Sequence, residues 1–208
     1  MSVLNKLASS VGVRNTEPNK ELALELIKSK DKKAIKELVA NLNNKDKNIQ
    51  SDCIKVLYEI GEQKPELIAE FDKEFLVLLN NKNNRLVWGA MTALDCIAAI
   101  NPKEIYKHLS TILDIADKGS VITKDHGVGI LTKLSKEKVY ADTTLVLLLD
   151  FMKTAATNQL PKYAEDAIPV ITDKHKKDFV KVLLSRLEDF DKETKKFRLQ
   201  KVIKKLSA

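Results

Sequence analysis

Small and apolar residues recur along this chain at a long, fixed interval, and that interval limits the folds open to it. Cys53, Ala90, Gly127, Ala164 and Leu199 are separated by steps of 37, 37, 37 and 35 residues. Three residues on lie Val56, Ala93, Ile130, Ala167 and Val202, and four on lie Leu57, Leu94, Leu131, Ile168 and Ile203. Ile60, Ile97, Leu134, Ile171 and Leu206 complete an i, i+3, i+4, i+7 stripe, the signature of one amphipathic helix copied five times. Self-similarity of this length marks an array of supersecondary units stacked side by side.

Upstream of each copy a partner column reads Leu38, Phe75, Ile112, Leu149 and Leu184, with the same steps of 37 and a last step of 35. Each unit is therefore expected to be a helical hairpin. Polar stretches separate the two helices: residues 43–46 (Asn-Asn-Lys-Asp), 80–84 (Asn-Asn-Lys-Asn-Asn) and 117–120 (Asp-Lys-Gly-Ser), with Asp189 to Lys192 in the last unit. Asn, Asp and Ser stop one helix and cap the next. Asn101-Pro102-Lys103-Glu104 offers a cap, a first-turn proline and an acidic third residue, and Pro18, Pro65 and Pro161 suit similar first turns. Pro169 falls inside the fourth second helix and predicts a kink there. Only 6 Gly and 5 Pro occur in 208 residues, which leaves room for long helices.

A single hairpin cannot bury its stripe alone, whereas five stacked hairpins form a continuous core. The pattern resembles the HEAT and armadillo repeats: a two-helix unit of this length, aliphatic at fixed helical spacings, with a polar turn carrying Asn or Asp. The resemblance covers residues 31–206 and implies an all-α, right-handed α-solenoid of about five units. Their expected spans are 31–67, 68–104, 105–140, 141–175 and 176–208. Residues 1–30 form an N-terminal capping segment of the same domain, with a helix over 18–29. The units lack the proline-bearing first helix and the Asp and Arg pairs of well-formed HEAT repeats, so the residues do not choose between the two subtypes. Second helices line the concave side of such solenoids, and the family implies a noncatalytic surface for a protein partner.

Other classes find little in the residues. Cys53 and Cys96 are too few and too far apart for a disulfide framework and form no Cys-x-x-Cys pair, so a reducing cytoplasmic setting is expected. The aliphatic run Leu145 to Leu149 is far short of a membrane span, and the opening Met-Ser-Val-Leu-Asn-Lys has no apolar block of a signal peptide. His108, His126 and His175 fall in different units without a ligand at metal spacing, so no metal and no cofactor are expected. Residues 124–129 (Lys-Asp-His-Gly-Val-Gly) hold a Gly-x-Gly without the strand, third glycine or lysine of a phosphate loop, and read as tight helix packing. Carboxylates interleave with lysine, as in Lys28 to Glu37, and none stands out as catalytic.

Two local features remain. Trp88 is the single tryptophan, and its equivalents in the other units are Ser51, Asp125, Lys162 and Phe197, which is not a core column. With Arg85, Thr92 and Asp95 it is a candidate partner-binding patch, or else an aromatic covering the seam to a neighbouring unit. The net charge of +7 is concentrated at the end, where residues 191–208 carry seven Lys/Arg against two acids. Lys195, Lys196, Arg198, Lys201 and Lys205 are candidate anion-binding residues, and the alternative is a solubilising cap. Three functions follow: a protein-interaction scaffold or adaptor, which is preferred; nucleic-acid binding through the basic last helix; and, from the loose similarity of Trp88, Asp95 and Arg85 to HEAT-like DNA glycosylases, base excision. The last sits poorly with 5% aromatic content, which supplies few stacking platforms.

Overall fold

The computed structural model describes residues 2–207, which hold twelve α-helices and no strand. Contacts divide the chain into two compact units, 1–126 and 127–208, and the division falls inside one helix.

In the first unit a 3₁₀ turn, Val3–Lys6, precedes α1 (Glu17–Ser29), α2 (Lys32–Ala40), α3 (Lys47–Gln63), α4 (Asp72–Leu78), α5 (Asn84–Ile97), α6 (Pro102–Lys107) and α7 (Leu109–Lys118). Helix α8 (Val121–Leu134) spans the division. The second unit continues with α9 (Lys138–Thr154), α10 (Leu160–Ala167), α11 (Asp173–Ser185) and α12 (Glu193–Ser207). The expected second helices are thus α3, α5, α8, α10 and α12, and α1 is the predicted N-terminal helix.

Local chemistry sets several of these boundaries. Asp31 accepts hydrogen bonds from the Lys33 and Ala34 amides, both at 3.0 Å, and so starts α2. Asp46 accepts from the Asn48 amide at 2.8 Å and Asn83 from the Arg85 amide at 3.1 Å, starting α3 and α5 from the polar turns. Asn101 behaves differently from the expectation. It makes no side-chain cap, and its Nδ2 instead donates to the Ala69 carbonyl at 2.6 Å, tying the start of α6 to an earlier turn. The first helices of two units are themselves split: the 3₁₀ turns Pro65–Leu67 and Ala69–Phe71 precede α4, and α6 precedes α7.

Pro169 does not kink a continuing helix. Helix α10 stops at Ala167, and a turn carries the chain through residues 168–170. Pro169 has no N–H to give the Glu165 carbonyl and its ring would press on that same carbonyl, so the hydrogen-bond ladder breaks there although Ile168 itself keeps helical backbone, at φ −46° and ψ −46°. The helix therefore ends, and Ile168 and Ile171 of the expected stripe are only half-buried.

Ile203 near the end of α12 is half-buried as well, and the remaining stripe residues are buried, with Cys53, Ala90, Ala164 and Leu199 each at 0% exposure. Burial pushes the Cys53 thiol up to about 12, helped by the negative charges of Asp52 and Glu37. Of the partner column, Leu38, Phe75, Ile112 and Leu149 are buried but Leu184 is 50% exposed. Phe179 and Leu183 are the buried apolar residues of α11, beside the buried His175. One residue corresponds to about 100° of helix rotation, so the true last step ends on Leu183 and turns Leu184 outward.

Close approach of α3 and α5 depends on missing side chains. A Cβ on Gly89 would overlap Ile54 Cγ1 and lie 3.1 Å from Ile54 Cγ2, and one on Gly61 would lie 3.1 Å from Cys96 Cβ on α5. In the second unit polar contacts join successive elements. Arg186 donates from Nη1 to the Met152 and Lys153 carbonyls and from Nη2 to that of Ala155, each at 2.8 Å, which satisfies the open carbonyls ending α9. Arg198 grips Glu165 with two bonds, at 2.8 and 2.6 Å, and so links α12 to α10.

Candidate binding groove

Helices α3 and α5 pack side by side, and the segment before α1 is fastened across them. Asp52 on α3 makes the clasp: Oδ2 accepts from the Ser9 amide at 2.8 Å and Oδ1 from Asn19 Nδ2 at 2.7 Å. Asn19, fully buried, in turn accepts from the Ala8 amide at 2.9 Å. Gly12, with φ +74°, lets the segment bend in the left-handed region before it reaches Arg14. Residues 8–16, α3 and α5 thereby enclose a groove of about 630 Å³ within the first unit.

Its chemistry is mixed. Half-buried Trp88 and Tyr58 offer aromatic surface, Asn48 and Ser51 offer polar groups, and Arg14 and Arg85 are exposed at its walls. Lys55 lies 4.5 Å from the centre of the Tyr58 ring and pairs with Glu59. Burial pulls the Lys55 ammonium down, but hydrogen bonds with Glu59 and Tyr58 outweigh it and hold the group above its ordinary value.

The four residues singled out around Trp88 separate into two layers. Arg85, Trp88 and Thr92 line the groove, with Thr92 only 7% exposed. Asp95 turns away into a polar row: its Oδ2 lies 2.9 Å from His126 Nδ1, and His126 Nε2 lies 2.8 Å from Thr92 Oγ1. Thr92 Oγ1 also bonds the Trp88 carbonyl at 3.0 Å. With His126 neutral, the carboxylate fixes the proton on Nδ1 and the Thr92 proton goes to Nε2. With His126 charged, Nε2 donates and the Thr92 proton goes to the Trp88 carbonyl. A hydroxyl, an imidazole and a carboxylate in a row match a nucleophile relay in outline. Thr92, however, sits mid-helix, where the neighbouring amides are committed to the α-helical ladder and present no pair of donors to a developing oxyanion. The row holds a proton and anchors the floor beneath Trp88. His126 lies 37 residues after Gly89, one repeat on, and that offset was the available signal that it faces α5. Among the described residues no three of His, Cys, Asp and Glu gather as a metal-ligand set.

The basic end is largely engaged within the chain. Lys195 Nζ donates to Asn158 O and Oδ1 at 3.0 and 2.8 Å, Lys196 lies 3.4 Å from Glu188, and Arg198 holds Glu165. Lys201 lies over the exposed Phe197 ring, 4.6 Å from its centre, and Lys205 is exposed. No helix among the described residues is long and apolar enough to cross a membrane.

No family model matches the chain, and no curated protein matches it in sequence. Solved structures do match in shape. A designed armadillo repeat protein in complex with the peptide (KR)4 superposes with a TM-score of 0.65 at 16% identity, covering 91% of this chain and 87% of that one. A computationally designed armadillo repeat protein for modular peptide recognition gives 0.63 at 17% identity, over 89% of this chain and 86% of that one. An engineered protein gives 0.63 at 18% identity, over 99% of this chain and 98% of that one. At such identities the likeness bears on fold alone, and the fold of this chain is that of the armadillo-type helical repeats.

Proposed function

We propose that this protein is a noncatalytic scaffold or adaptor that binds a segment of a partner protein in the groove formed by residues 8–16, α3 and α5. The observation that carries the reading is the position of Trp88, half-buried at the groove wall beside the exposed Arg85. Trp and Arg are among the residue types enriched at the few positions that carry most of the binding energy of protein interfaces. The designed structural neighbours, one bound to a peptide and one made for peptide recognition, support a groove of this kind as a peptide site. A cytoplasmic setting agrees with Cys53 remaining a buried thiol.

Peptide display tests the proposal. A random library panned against the immobilised full chain should enrich sequences that a Trp88→Ala, Arg85→Glu variant no longer retains. Enrichment of the same sequences on both proteins, or of none on either, would sink the proposal.

A further inference from the structure

The groove's charges are not all equally available to a ligand. Asp52 has both oxygens occupied by Ser9 and Asn19, and Lys55 is paired with Glu59. Arg14 and Arg85 are exposed at the wall, and among the described residues neither guanidinium has a carboxylate partner. The surplus charge offered to an incoming chain is therefore positive and sits on the side chain best suited to gripping carboxylates through two parallel bonds. Trp88 and Tyr58 supply apolar surface in the same groove, and Asn48 and Ser51 supply groups able to bond an extended backbone.

From this charge pattern we infer that the groove selects an acidic peptide segment, with Asp or Glu side chains on Arg14 and Arg85 and an apolar residue against Trp88. This rests on the groove being a peptide site. The preference is opposite to that of the designed neighbour bound to (KR)4: a basic peptide here would meet two unneutralised guanidiniums. Asp52, the one carboxylate lining the groove among the described residues, is already committed to the N-terminal segment.

Trp88, the single tryptophan, makes the test direct. Its emission is followed on the full chain during titration with two synthetic peptides of equal length. One carries Glu and Asp around a central Leu-Phe; in the other, Lys and Arg replace the acids. The acidic peptide should bind at least about tenfold more tightly, and Arg14→Glu with Arg85→Glu should remove that advantage. Arg85→Lys should fall between, because it keeps the charge and loses the planar fork. Circular dichroism should be unchanged in every variant, since both arginines are exposed. Equal binding of the two peptides, or tighter binding of the basic one, overturns the acidic preference and leaves the peptide site standing. Binding of neither overturns both. Acidic binding that ignores the arginine reversals, or displacement of the peptide by a short single-stranded oligonucleotide at equal concentration, also overturns the inference.

Discussion

Ile54 on α3 reaches into the space left by Gly89 on α5, and a single methyl group there has nowhere to go. Overpacking a closed seam costs about 1–3 kcal/mol, so Gly89→Ala should lower the urea midpoint accordingly. In an Ile54→Ala background the same change should cost little, because the colliding carbons are gone. A double-mutant cycle showing simple additivity would place the strain elsewhere. Gly89 was not legible as a contact residue: it neighbours the Ala90 column, and spacing alone does not say which residue of the adjacent repeat it meets. Trp88 was legible as the single tryptophan standing in a column that is not a core column, and Arg85 only as its neighbour one turn away. His126 carried one signal, its offset of 37 residues from Gly89, but its Thr92 and Asp95 partners show only after the repeats stack. Arg14 and Tyr58 were missed for a related reason, as the wall formed by residues 8–16 depends on the clasp at Asp52.

Between elements, Arg198 and Glu165 are the clearest electrostatic link in the second unit. The Arg198 hydrogen bond holds the Glu165 carboxyl below its ordinary range, although partial burial acts against it. A depressed folded value means that the stabilisation is present above the unfolded value, about 4.3, and is lost as pH falls through the folded one. Both side chains are more than a third exposed, at 44% and 39%, so solvent screening limits the pair to about 0.5–1 kcal/mol. Glu165→Gln should be less stable than wild type by that amount at pH 7, and the two should converge in acid; a gap that persists at low pH would mean the loss is one of packing. At this scale the hairpins followed from the repeat of 37. The exceptions had local causes: a proline that ended α10 instead of bending it, and a one-residue drift in α11 that exposed Leu184. Spacing read from a column cannot detect a slip of one residue when both candidates are leucine.

Across the whole molecule the net charge of +7 invites a nucleic-acid partner, but charge counts differently once its contacts are known. Of the five cations singled out on the last helix, Lys195, Lys196 and Arg198 are held by Asn158, Glu188 and Glu165, which leaves Lys201 and Lys205. Two phosphate contacts give a slope of about −2 in log affinity against log salt for duplex DNA. A slope several times steeper, flattened by reversing Lys195, Lys196 and Arg198, would mean that those pairs open for a nucleic acid. The seam at Gly89 also bears on how the array could be re-engineered. Moved one repeat along, by 37 residues, Ile54 corresponds to Met91 and Gly89 to His126. The isoleucine and glycine that meet at the α3–α5 seam are thus not repeated one step on, and these two units are not interchangeable cassettes. A chain rebuilt with its units in another order would set isoleucine against histidine, so the array can be lengthened or shuffled only by carrying adjoining pairs together.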